Sequence, residues 1–294
     1  MSEPKTRTLD VPGAVLGYDV READGGGASD ARTLLLIGSP MGASGFVTLA
    51  GHFGDRTVVT YDPRGSERST LLANVRQSTP DEHADDLSRL ITAVNTGPVD
   101  IFASSGGAVN ALALVARHHH QVATLVAHEP PLMQLLPDRE PALAASRDIR
   151  ETYQREGFGP AMAKFIALVM HQGPITPEYL EQPAPNPAEF GLPTEDDGSR
   201  DDPLTGLNMV TCTHYEPDLD ALRAASTRIV LGVGATSGET LSKRTGVAAA
   251  EALGLRPVEF PGDHSGFSGG ELGGMVGEPD AFAAKLREVL DARA

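Results

Sequence analysis

Val99-Asp100-Ile101-Phe102-Ala103-Ser104-Ser105-Gly106-Gly107-Ala108-Val109-Asn110 passes from an apolar run through a knot of small residues into a helix-compatible stretch. The apolar part reads as a buried strand, and Ala108 to Ala116 as the helix that follows it. A turn this short leaves a serine at its tip in a strained backbone conformation with its hydroxyl presented outward. Bulky residues two positions to either side would collide with that turn. Ala103 and Gly107 meet the requirement around Ser105, whereas centring the turn on Ser104 would put Phe102 in a slot that needs a small residue.

Working outward, the same alternation recurs. Thr33-Leu34-Leu35-Leu36-Ile37 and Arg56-Thr57-Val58-Val59-Thr60-Tyr61 are continuous apolar runs, as expected of strands covered on both faces. Leu9 to Val20 reads as one or two strands broken at Pro12-Gly13, and Asp24 to Asp30 as a glycine-rich loop. Thr79-Pro80-Asp81-Glu82 opens a helix with a cap, a first-position proline and early acids. Val122 to Ala127 is a further strand that ends in His128-Glu129-Pro130-Pro131. The rhythm then stops. Helical segments such as Pro160 to His171 give way to a proline- and acid-rich stretch from Pro174 to Pro203. It resumes with the strand Arg228 to Val233, a helix from Leu241 to Leu253, the strand Pro257 to Phe260 and a terminal helix from Pro279. Such alternation specifies an α/β fold, a mostly parallel central sheet with helices on both faces. The core is expected over residues 1–132 and 221–294, with a largely helical inserted cap over 133–220. Ligands bind outside the carboxyl ends of strands in such sheets, so the insertion is placed to roof a site.

With 294 residues the chain can bury one large core. Its formal net charge of -16 repels nucleic-acid phosphates and anionic lipid, which argues against both as partners. The single cysteine, Cys212, excludes an internal disulfide and suits a cytoplasmic location. The first residues lack the apolar stretch of a signal peptide, and no run is long enough to span a bilayer. A small-molecule substrate is the partner expected, and a homodimer is compatible with the composition.

The turn around Ser105 resembles the nucleophile elbow of α/β-hydrolases, written G-x-S-x-G, here Ala103-Ser104-Ser105-Gly106-Gly107. That resemblance implies the order nucleophile, acid, histidine. His264 follows the last strand in Phe260-Pro261-Gly262-Asp263-His264-Ser265-Gly266, the place the family gives its base. The acid slot after the strand Ile229 to Val233 reads Gly234-Ala235-Thr236-Ser237 and has no carboxylate, with Glu239 two residues beyond. Some members, the haloalkane dehalogenases among them, take the acid from the preceding strand end, which is Glu129 here. A strand end holds a side chain more firmly than a glycine-flanked loop, so Glu129 is preferred to Glu239. The resemblance also implies oxyanion donors at the amides of Gly106 and Ser39. Ile37-Gly38-Ser39-Pro40 is similar to the family's His-Gly-x-Pro turn, with isoleucine in place of histidine. Asp62-Pro63-Arg64-Gly65-Ser66-Glu67-Arg68-Ser69 resembles its D-x-R-G-x-G-x-S loop, with Glu67 in place of a glycine.

A serine hydrolase acting on a small ester, lactone or related acyl bond follows as the expected function, with Ser105, His264 and Glu129 as the catalytic residues and no cofactor or metal. A serine at the elbow argues against the aspartate-dependent dehalogenases and epoxide hydrolases of the same fold. A cofactor-free perhydrolase or carbon–carbon bond hydrolase on the same residues is the alternative enzyme. A non-catalytic small-molecule receptor, suggested by the empty acid slot, is the alternative of another class. Asp263 is expected to cap or solvate, and His128 to be structural. His118-His119-His120 cannot face one ion from a helix, Gly232-Val233-Gly234 lacks the third glycine of a dinucleotide loop, and the acids from Glu195 to Asp202 lack calcium-loop spacing.

Overall fold

The computed structural model describes residues 3–24, 31–72, 75 and 77–292. The glycine-rich stretch 25–30 lies outside the described residues. The strands in chain order are β1 (Lys5–Val11), β2 (Ala14–Arg21), β3 (Leu34–Ile37), β4 (Val58–Tyr61), β5 (Thr70–Leu71), β6 (Val99–Ser104), β7 (Val122–His128), β8 (Arg228–Gly234), β9 (Val258–Phe260), β10 (Gly269–Leu272) and β11 (Met275–Val276). The large sheet runs β1-β2-β4-β3-β6-β7-β8-β9, with β5 on β2. β2 is antiparallel to β1, β4 and β5. All pairings from β4 through β9 are parallel.

Alternation along the central strands builds two cores. Leu35, Ile37, Ile101, Ala103, Leu125 and Ala127 face the helices Pro80–Val94 and Gly106–His118. Leu34, Leu36, Phe102 and Val126 face the opposite layer, with Phe46, Phe267 and Phe282 of the terminal helix Pro279–Asp291. These central strands are buried on both sides, which is why their runs are largely apolar, with Thr60, Asp100 and Thr124 as buried exceptions. The helix Pro80–Val94 opens on a capping box, with Thr79 and Glu82 each satisfying the other's backbone amide.

Between β7 and β8 the described chain is helical or irregular. Its main helices are Arg139–Glu156 and Phe158–Met170. The stretch read as irregular holds only short turns, Pro177–Leu180 and Pro187–Phe190. Pro203–Asn208 winds as a π-helix that the sequence pattern did not announce. These elements share their own core around Met133, Ile149, Tyr153, Leu168 and Met209, which Leu241 of the helix Leu241–Ala252 joins. Polar contacts hold the segment to the body. Arg244 pairs with Asp138 and donates to the Gly173 carbonyl at 2.9 Å. His83 meets the Asn208 side chain at 2.8 Å.

Candidate active site

β6 ends at Ser104, and the helix begins at Gly106, leaving Ser105 alone to make the turn. Its φ of 57° and ψ of -130° lie in a sparsely populated region for a side-chain-bearing residue. The neighbouring strand and the following helix hold it there: the Ser105 amide donates to the His128 carbonyl of β7 at 3.0 Å, and the Ser105 carbonyl accepts from the Ala108 amide of the helix at 2.9 Å. A Cβ at Gly107 would lie 2.6 Å from the Ile37 carbonyl oxygen, and one at Gly106 would lie 2.6 Å from that of Ser39. The small residues in the motif are therefore the condition for β3, β6 and the helix to approach this closely.

The chain makes a second strained turn where β7 ends. Glu129 has φ 47°, its amide donates to the Gly232 carbonyl of β8 at 2.9 Å, and its side chain is fully buried. One carboxylate oxygen, Oε1, accepts from the Gly234 amide at 2.9 Å. The other, Oε2, lies 2.6 Å from Nδ1 of His264. Burial pushes this carboxyl toward protonation. The hydrogen bond from His264, the charge of that ring and the Gly234 amide outweigh it, and the group is held well below the usual carboxylate range. Glu239 sits elsewhere: it is exposed, and its amide donates to the Gln172 side chain at 2.7 Å. The structure thus brings Glu129, and not Glu239, to His264.

His264 follows β9 on the loop Pro261–Phe267. The Gly266 amide donates to the Asp263 carbonyl, and the Ser265 amide to the Asp263 carboxylate at 2.8 Å. Asp263 is a loop-capping residue whose side chain is turned to solvent. One face of the His264 ring stacks on fully buried His128, with centroids 6.1 Å apart and planes 30° apart. Phe102, Phe260 and Phe282 surround the rest of His128. Burial lowers the pKa of His128 to about 4, against the opposing pull of the Glu129 carboxylate, so the ring is neutral. Ligand atoms of His128, Glu129 and His264 lie within 4.8 Å of one another. Within that group Nδ1 of His264 is engaged by the Glu129 carboxylate at 2.6 Å.

Ser105, Gly106, Ser39 and His264 line one cavity of about 560 Å³. Its walls come from the β8 loop through Ser237, from the helix Phe158–Met170 and the turn at Met209 above, and from Met275. Met275 belongs to the β10–β11 hairpin, which sequence reasoning missed. The paired glycines Gly269-Gly270 and Gly273-Gly274 were the available signal for it. Glu271 ties this hairpin to the body, accepting from the Thr48 amide at 3.0 Å. Buried Cys212 also lines the cavity.

The loop after β4 is a scaffold for this side of the site. Asp62 accepts from the Ala43 amide at 2.8 Å and from Arg68, and Arg64 grips Asp86 through two bonds of 2.7 Å. Glu67 has φ 46°, which accounts for a glycine being favoured there. Its carboxylate accepts from the Gly42 amide and the Ser44 hydroxyl, at 3.1 and 2.7 Å.

No known family profile matches the chain. The uncharacterized hydrolase YraK of Bacillus subtilis is 31% identical over 268 residues, 89% of this chain and 90% of that protein. The chain belongs to the α/β-hydrolase family. Solved α/β-hydrolases share its fold at low identity. MGS-M2, from a deep-sea metagenome, superposes with a TM-score of 0.68 at 13% identity over 98% of both chains. An esterase of Thermogutta terrifontis gives 0.63 at 19% over 98% of both. The enol-lactonase of Burkholderia xenovorans gives 0.62 at 17%, over 97% of this chain and all of the other. Among the described residues of this α/β-hydrolase, no helix is long and apolar enough to cross a membrane.

Proposed function

We propose that this α/β-hydrolase cleaves a small ester, lactone or related acyl bond through an acyl-enzyme on Ser105. The observation that carries the reading is the buried Glu129 carboxylate on Nδ1 of His264, beside a cavity that the strained Ser105 turn also lines. The Ser105 hydroxyl attacks the carbonyl carbon and gives its proton to Nε2 of His264. Glu129 holds Nδ1–H and stabilises the imidazolium that forms. The amides of Gly106 and Ser39 receive the developing oxyanion. Collapse breaks the acyl–oxygen bond, and the alcohol leaves with the proton from His264. Water then attacks the acyl group, His264 takes its proton and returns it to Ser105, and the carboxylic acid departs. The cap over 133–220 closes the site from above.

The receptor alternative leaned on the empty acid slot after β8. A carboxylate reaching His264 from β7 removes that support. The test is labelling with a fluorophosphonate probe together with turnover of p-nitrophenyl acetate. Wild type is expected to be labelled on Ser105 and to turn over the ester, and Ser105→Ala to do neither while keeping its fold. A wild-type protein that resists the probe, or a Ser105→Ala variant with undiminished turnover, overturns the reading.

A further inference from the structure

We infer that the cavity selects uncharged, apolar acyl chains of several carbons and rejects substrates that carry a carboxylate. The inference rests on the serine-hydrolase reading and adds a substrate class to it.

Three observations point the same way. The first is the character of the walls. Phe165, Leu168, Leu204 and Leu241 face the cavity together with Met133 and Met209. A cavity of about 560 Å³ holds far more than an acetyl group, since roughly 300–1,000 Å³ suffices for drug-sized ligands. Apolar walls reward each methylene moved out of water. The methionines, unbranched and polarizable, let the walls adapt to chains of differing shape.

The second observation is charge. Among the described residues lining the cavity there is no lysine or arginine; the ionisable groups of charge-bearing type are Asp263 at the rim and His264. The nearest fixed charge behind His264 is the Glu129 carboxylate. A carboxylate on the substrate would lose its water against apolar walls, find no lysine or arginine, and face the negative charges of Asp263 beside His264 and Glu129 behind it. The net charge of -16 acts in the same sense at longer range.

The third is the mouth. Val169, Met170 and Met275 line the cavity and are also exposed, Met170 to 66% and Met275 to 56%. The apolar lining therefore continues to the opening, so a chain too long for the interior still meets apolar surface on its way out.

The experiment compares three activated esters on the full-length protein: p-nitrophenyl acetate, p-nitrophenyl hexanoate and the mono-p-nitrophenyl ester of adipic acid. The last has the hexanoate chain length with a terminal carboxylate. The expected kcat/KM for hexanoate exceeds that for acetate by at least about 50-fold, within a ceiling of about 250-fold for four methylenes fully buried at about fourfold each. It exceeds that for the adipate ester by at least about 100-fold. Phe165→Arg, a substitution at a half-buried lining position, supplies the missing cation and is expected to narrow the hexanoate-to-adipate ratio by about tenfold. If that variant does not fold, the wild-type comparison alone decides. A protein labelled by fluorophosphonate that hydrolyses acetate or the adipate ester as fast as hexanoate overturns this inference and leaves the serine-hydrolase reading standing. Absence of labelling and of all ester turnover overturns that reading itself.

Discussion

Glu129 uses both carboxylate oxygens, one on Nδ1 of His264 at 2.6 Å and the other on the Gly234 amide at 2.9 Å. The acid at the end of β7 is thereby locked to the end of β8 and to the loop after β9 at once. Replacing it by glutamine keeps the size but removes the charge that stabilises an imidazolium. Glu129→Gln is expected to lower kcat for an activated ester by about 10²–10⁴-fold, with KM changed far less. Glu239→Ala is expected to leave kcat within about twofold. Steady-state kinetics on the two variants separates the carboxylates directly.

His128 makes acid stability a measurable property of the core. Its pKa is about 4 when buried in the folded protein and roughly 6.5 when unfolded. The unfolded chain therefore binds more protons between those values, and folding stability rises with pH across that window and levels above it. From pH 7 down to pH 5 the ring accounts for a loss of about 2 kcal/mol. His128→Leu, among three phenylalanines, is expected to flatten that part of the profile. Urea denaturation at the two pH values tests it, and an unchanged difference would refute the assignment.

Gly107→Ala is expected to cost about 2–3 kcal/mol, because its Cβ would press on backbone on both sides of the Ile37–Gly38 peptide with no flexible side chain to give way. Ester turnover should fall with it, since the same residue sets how the Ser105 turn seats. Equilibrium unfolding and kcat, measured on one sample, report the two effects together.

Cys212 faces the cavity yet should be inert. Burial raises its thiol pKa to about 12, so about one molecule in ten thousand carries the thiolate at pH 8. Iodoacetamide at that pH is expected to modify Cys212 only after denaturant unfolds the protein, as read by mass spectrometry.

The sheet was legible because burial on both faces writes itself as largely apolar runs, unbroken in β3 and interrupted in β4, β6 and β7 by Thr60, Asp100 and Thr124. The turn at Ser105 was legible because close backbone approach permits only small residues at Ala103 and Gly107. The partner of His264 was legible only as a preference, for Glu129 at a strand end over Glu239 in a glycine-flanked loop. Glu129 directly follows β7 while Glu239 lies five residues beyond the end of β8, and the parallel register of β7 on β8, with His128 opposite Gly232, fixes that Glu129 meets the ring. The cavity wall was less legible still. Phe165, Leu204 and Met275 lie on three separate elements and share no local pattern, and their meeting is a product of how the segment between β7 and β8 packs. The short hairpin β10–β11 escaped notice because its strands are too brief to show a period, although Gly273-Gly274 marks its turn.

In the proposed triad the acid is mounted on β7, so no side chain of the loop after β8 is a reacting group. Gly234 offers its amide and, having no side chain, lets the Asp263 backbone approach, while Thr236, Ser237 and Thr240 beyond it line the cavity, and the Glu239 carbonyl accepts from the Gly173 amide at 2.9 Å. On that reading proton handling is anchored to β7, while this part of the pocket wall is anchored to β8. Sequence drift or deliberate redesign in residues 235–240 can retune what the enzyme accepts while its reacting groups stay where they are.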